Sequence, residues 1–79
     1  MELTLETRDD VCIVHISDDI TTDGIQDFSA FMKEQVLANH SRIILDMIDI
    51  DYFCSSAYGV ILRCLEEARG KGGDLVLAN

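Results

Sequence analysis

A chain of 79 residues with 48% hydrophobic and 27% charged side chains, no proline and no low-complexity run has room for one domain, residues 1–79, and one core. A chain this short buries only about 60% of the surface its unfolded form exposes, so a partner or a second copy is expected to support it. Six Lys and Arg against 15 Asp and Glu give a formal charge of -9, which argues against DNA, RNA and anionic membranes and favours a basic protein surface, unless the acidity serves only solubility.

The opening "ELTLETRDDVCIVHI" alternates Leu3 and Leu5, then Val11 and Ile13, across a polar break, the pattern of an antiparallel hairpin. "MELTLETRDD" lacks a basic segment followed by an apolar stretch, and no run approaches ~18 apolar residues, so a reducing cytoplasm is the expected location. In "TTDGIQDFSAFMKEQVLANH", Ile25, Phe28, Met32 and Val36 recur at helical spacing. Thr22 or Asp23 is expected to cap that helix, and Asn39 to end it. "RIILD" predicts a central strand buried on both faces, with Asp46 at its carboxyl end. From Ser55 to Arg69, the set Tyr58, Ile61, Leu62, Leu65 and Ala68 predicts a second helix. "GKGG" then reads as its C-cap, with Gly70 or Gly72 left-handed, before a last strand "DLVLAN". The order β-β-α-β-α-β predicts an α/β fold with a mainly parallel sheet, an antiparallel first strand and both helices on one face through right-handed crossovers.

Chemistry concentrates at "CSSAYG", where the strand, loop and helix unit places a helix start near the carboxyl edge of the sheet. A phosphate on Ser55 would meet unpaired amides and the positive end of the helix dipole there. An unmodified serine would equally serve as an ordinary N-cap. Cys54 is either a thiol made reactive by the helix start or a small packed side chain. Cys12 and Cys64 read as structural, and three cysteines without C-x-x-C spacing suggest neither a disulfide framework nor a zinc site. A serine hydrolase is a poor fit, because no G-x-S-x-G elbow is present and only His15, on a strand, and His40, in a turn, could act as a base. No hydrolytic activity, cofactor or metal is expected from these residues.

The segment "IILDMIDIDYFCSSAYGVILRCLEEARGKGGDLVLAN" resembles the signature half of a STAS domain of the bacterial anti-sigma factor antagonist type. "SSAYGVIL" matches the family's serine pair, its second glycine as Gly59 and an apolar triplet, and "VCIVHISDDITTDGIQDF" fits the second strand and the entry to the first helix. The resemblance implies a right-handed β-α superhelix. It also implies partner switching: the unphosphorylated module binds an anti-sigma factor with serine kinase activity, the kinase phosphorylates Ser55 and so breaks the complex, and a PP2C-type phosphatase restores it. Thr21, Cys54, Ser55, Ser56, Tyr58 and Gly59 fall at partner-binding positions of that pattern.

Cys54 and Thr21 stand where the family carries acidic residues, and Ala57 where it carries glycine. The family also continues past "LVLAN" with a helix, a strand and a final helix, so the C-terminal part of the usual fold is absent from this sequence. A homodimer through the Asp74–Ala78 edge, or a truncated chain, is therefore expected. Two alternatives accompany the switch: a STAS interaction or scaffold module that is never phosphorylated, and a thiol redox protein using Cys54.

Overall fold

The computed structural model describes residues 1–38, 40 and 42–79. Strands β1 (Leu3–Arg8) and β2 (Val11–Ile16) form the predicted hairpin, turned by Asp9 and Asp10. Asp9 takes a φ of 53°, a left-handed conformation that aspartate tolerates better than most side chains. A single 3-10 turn, Thr22–Gly24, leads into helix α1 (Ile25–Leu37); β3 (Arg42–Asp46), helix α2 (Ser55–Gly70) and β4 (Asp74–Ala78) follow. The sheet order is β1-β2-β3-β4, antiparallel at the hairpin and parallel thereafter.

Burial alternates along β2: Cys12, Val14 and Ile16 are buried, whereas Val11, Ile13 and His15 are only partly covered. The register sets Cys12 beside Ile43 and Val14 beside Leu45, and these side chains form one core with Phe28, Met32 and Val36 of α1 and Ala57, Ile61 and Cys64 of α2. Both helices therefore cover the same face. For that reason the expectation of a strand buried on both sides does not hold: Ile43 and Leu45 are buried, but Ile44 between them is half-buried on the uncovered face. Burial pushes the Cys12 thiol up in pKa, as befits a small core side chain.

The helix boundaries differ from the sequence expectation in detail. Gly24 occupies the α1 N-cap position and no side chain caps it, because the 3-10 turn displaces Thr22 and Asp23 from that position. The expected stop at Asn39 lies outside the described residues. The C-terminus of α2 closes as expected: Gly72 has φ +84°, its N–H donates to the Arg69 carbonyl at 3.0 Å, and the Gly73 N–H donates to the Ala68 carbonyl at 2.8 Å. This paired closure is a Schellman motif. Lys71 Nζ then donates to the Val36 carbonyl at 2.8 Å, tying that turn to the end of α1.

The uncovered sheet face carries a polar cluster across three strands. His15 Nδ1 lies 2.8 Å from Asp46 Oδ2, and His15 Nε2 lies 3.2 Å from Glu6 Oε1. The imidazolium N–H groups donate to the Glu6 and then the Asp46 carboxylate, which raises the His15 pKa. His15 and Arg8 lower that of Glu6; the Asn79 amide, the Ile48 N–H and His15 lower that of Asp46. The His15 contribution is complete below its unfolded pKa of about 6.5 and is lost as pH rises through its higher folded value. The carboxylate contributions are present above about pH 4.5 and are lost as pH falls through the depressed folded values. The cluster therefore stabilises most between about pH 4.5 and 6.5. Urea midpoints of the wild type and His15→Gln are expected to differ most in that window and to converge at pH 9. A pH-independent difference would contradict this coupling.

Candidate functional site

Two loops meet at the carboxyl edge of the parallel strands: residues 17–21, between β2 and the 3-10 turn, and residues 47–54, between β3 and α2. They are joined as if they were short strands. Ile20 forms a parallel bridge with Phe53; its N–H donates to the Tyr52 carbonyl at 3.1 Å, and its carbonyl accepts the Cys54 N–H at 2.8 Å. Asp19 reinforces the join, its Oδ1 accepting the N–H groups of Asp51 at 2.8 Å and Tyr52 at 3.1 Å. Ile20 is fully buried and anchors both loops to the core.

Asp19 is thus a staple between segments more than thirty residues apart in sequence. Asp19→Ala should cost about 1–2 kcal/mol, from two charge-assisted hydrogen bonds in a partly exposed setting. Asp19→Asn keeps the accepting oxygen and should lose less than half of that. Urea denaturation reads the loss, and amide exchange at Asp51 and Tyr52 should accelerate in Asp19→Ala; unchanged exchange at both would show that the staple is redundant.

Immediately after the joined loops, α2 begins. Cys54 occupies its N-cap position with an extended backbone and no side-chain cap bond, and its carbonyl accepts from Ala57 at 3.0 Å and Tyr58 at 3.3 Å. Ser55 is therefore the first residue of the helix and not its cap. Both Ser55 and Ser56 are exposed, and their amides open a first turn in which N–H groups precede any carbonyl they could reach along the helix. That turn contains no acidic side chain to compensate the positive end of the dipole.

The remaining expected site residues divide by helical phase. Ser55, Tyr58 and Leu62 stand at i, i+3 and i+7 on one exposed stripe, with Tyr58 53% and Leu62 41% exposed. Gly59 flanks the stripe with open space around its Cα, and Thr21 is exposed on the neighbouring loop. Cys54 lies below this surface, 5% exposed and packed in the core, a setting without the solvent access that a reactive thiol needs. Ala57 is fully buried, so the methyl group that replaces the family's glycine fills core volume. The expected apolar seam of α2 was rotated: the buried set is Ala57, Ile61, Cys64 and Ala68, and Tyr58 and Leu62 face outward.

Sequence reasoning missed two residues of this surface. Ile48, 67% exposed, and Tyr52, 57% exposed, project from the loop before α2. Beside them a hollow of about 310 Å³, lined by Met47, Ile50, Phe53, Leu77 and Ala78 with Asp51 and Asn79 at its margin, opens between that loop and the end of β4. The only signal for Ile48 and Tyr52 was their position in a loop, where large apolar side chains have little core to enter.

The arrangement presents a helix mouth with two exposed serines, and exposed aromatic and aliphatic side chains on α2 and on the loop before it. Among the described residues, no group of three His, Cys, Asp or Glu is placed to hold a metal, and no helix is long and apolar enough to cross a membrane. The model of the STAS domain matches residues 2–79. The chain belongs to the STAS domain family. Solved structures agree on the fold. A crystal structure from Thermotoga maritima, described as an anti-sigma factor antagonist, superposes with a TM-score of 0.87 at 21% identity, covering 95% of this chain and 65% of that one. The anti-sigma factor antagonist SpoIIAA in its unphosphorylated form gives 0.82 at 16% identity, covering 99% and 73%. The Bacillus SpoIIAA structure in the phosphorylated form gives 0.75 at 13% identity, covering 98% and 70%. This STAS chain thus spans about two thirds of the Thermotoga protein's length. No curated protein matches it at a significant level.

Proposed function

We propose that this STAS chain is an anti-sigma factor antagonist acting by partner switching, without enzymatic activity of its own. The unphosphorylated chain docks on an anti-sigma factor with serine kinase activity through Ser55, Ser56, Tyr58, Gly59 and Thr21, with Ile48 and Tyr52 extending the contact. Phosphorylation of Ser55 by that kinase releases it, and a PP2C-type phosphatase resets it. The observation that carries this reading is Ser55 itself: exposed at the first position of α2 and not engaged as a cap. A phosphate there would be held by the first-turn amides while adding about -1.5 to -2 charge to a surface packed against a partner. SpoIIAA, similar in fold, exists in both unphosphorylated and phosphorylated forms.

The chain is to be incubated with a serine-kinase anti-sigma factor and ATP, and the phosphate located by mass spectrometry. Phosphate on Ser55, absent in Ser55→Ala, is the expected result. Docking with no phosphate on Ser55 would leave the non-phosphorylated interaction module as the reading, which Cys54 and Thr21 at the family's acidic positions favour.

The same proposal includes a homodimer. Strand β4 is a sheet edge, with Val76 47% and Leu77 51% exposed, and an unpaired edge of this kind invites a second copy. Sedimentation of a stable monomer at micromolar concentration would remove that part.

A further inference from the structure

Helix α2 has a second flank. Ser56, Val60, Arg63 and Glu67 stand at i, i+4, i+7 and i+11, a stripe that starts at the second serine and runs down the side facing α1. There it borders a groove of about 210 Å³, lined by Ser29 and Lys33 from α1 and by Val60, Arg63, Cys64 and Glu67 from α2.

The charges in this groove run against those of the molecule. Of the six Lys and Arg in a chain of formal charge -9, Arg8 pairs with Glu6, Arg69 with Asp74, and Lys71 bonds the Val36 carbonyl. Lys33, Arg42 and Arg63 form no ion pair among the described residues, and of these three Lys33 and Arg63 face the same groove. With the Glu67 carboxylate on the wall, two cations and one anion leave a single net positive charge, which matches one carboxylate and disfavours a dianion. The floor is apolar and uncharged. Val60 is half-buried, and Cys64 is buried with its thiol pushed up in pKa by burial and by Glu67, against the opposing influence of Arg63. The volume lies below the roughly 300 Å³ at which small-molecule pockets begin, and it suits one side chain.

We propose that the α1–α2 groove is a second docking point that receives a glutamate or aspartate side chain, with a neighbouring apolar residue, from the protein partner bound at Ser55 and Ser56. This inference rests on the partner-docking reading of α2. A mostly basic partner surface would be drawn to the acidic loops in many orientations. One acidic side chain lodged between Lys33 and Arg63 selects among them, because misplaced basic residues would meet like charge there.

The test uses the full chain labelled with nitrogen-15 and the peptide acetyl-Leu-Glu-Leu-amide, with acetyl-Leu-Gln-Leu-amide as its neutral counterpart. The glutamate peptide is expected to shift the amide signals of Ser29, Lys33, Val60, Arg63, Cys64 and Glu67, and to bind at least fivefold more tightly than the glutamine peptide. Lys33→Gln combined with Arg63→Gln, both exposed positions, should weaken it at least tenfold with an unchanged urea midpoint, while Ser55→Glu should leave it unaltered. Equal binding of the two peptides, shifts elsewhere on the surface, or stronger binding of inorganic phosphate to the same amides would each overturn the proposal. No kinase enters this assay, so its failure is separable from failure of the Ser55 switch.

Discussion

Ser55→Glu is expected to weaken docking on a serine-kinase anti-sigma factor about 100-fold while leaving the fold intact or slightly more stable. The two effects have opposite signs because they have different causes. An acidic side chain at the first position of α2 meets the positive end of the helix dipole, worth about 0.3–1 kcal/mol in favour of the folded chain. Against a partner, the same charge must be desolvated in the contact, and losses of about 2–5 kcal/mol are ordinary for an unmatched charge at such a position. Calorimetric titration reads the loss in docking, and urea denaturation reads the change in stability. Ser55→Ala should dock normally, since it removes the acceptor of the phosphate without adding charge. If Ser55→Glu docked as well as the wild type, the switch would be refuted, and the surface would have to be sought away from the helix mouth.

The largest stability effect is expected at Phe28→Ala. Phe28 of α1 is fully buried in the core shared by both helices and the sheet, and truncating such a side chain costs about 3–5 kcal/mol in lost transfer energy and residual cavity. Small domains hold roughly 0.05–0.15 kcal/mol per residue, so a chain of 79 residues has little left after that loss. Its melting temperature should fall by about 15 °C or more, and circular dichroism at 25 °C should show partial unfolding. Tyr58→Ala provides the contrast. Its side chain is over half exposed, so stability should change by no more than about 0.5 kcal/mol. Its cost should appear in docking instead, where an exposed aromatic at the centre of a contact is worth about 2 kcal/mol.

That contrast explains how much of this molecule was legible in its sequence. Periodicity located both helices and all four strands, and Phe28, Met32 and Val36 fell where their spacing put them. In α2 the same reasoning chose Tyr58 and Leu62 for the core, because it weighs side chains by hydrophobicity. The helix turns the small residues Ala57, Cys64 and Ala68 inward with Ile61, where close approach to the sheet leaves room for little else. Large apolar residues then remain outside, available to a partner. Ser55 carried two readings, cap or phosphate acceptor, because a helix start is uncertain by a residue or two from sequence; with Cys54 at the N-cap position, its hydroxyl is not engaged as the cap. The Asp19 staple and the Glu6, His15, Asp46 cluster were invisible for a different reason. The staple joins two loops and the cluster joins three neighbouring strands, and no local pattern announces a bond across 32 or 31 positions.

The hairpin has a practical consequence. Each strand rises about 3.3 Å per residue, so the Asp9 and Asp10 turn at the amino end of β2 lies at the far pole from the joined loops, which leave the carboxyl end of the same strand. A fluorophore or surface tether attached there would report on complex formation from a distance without obstructing it, and the aspartates it replaced face water.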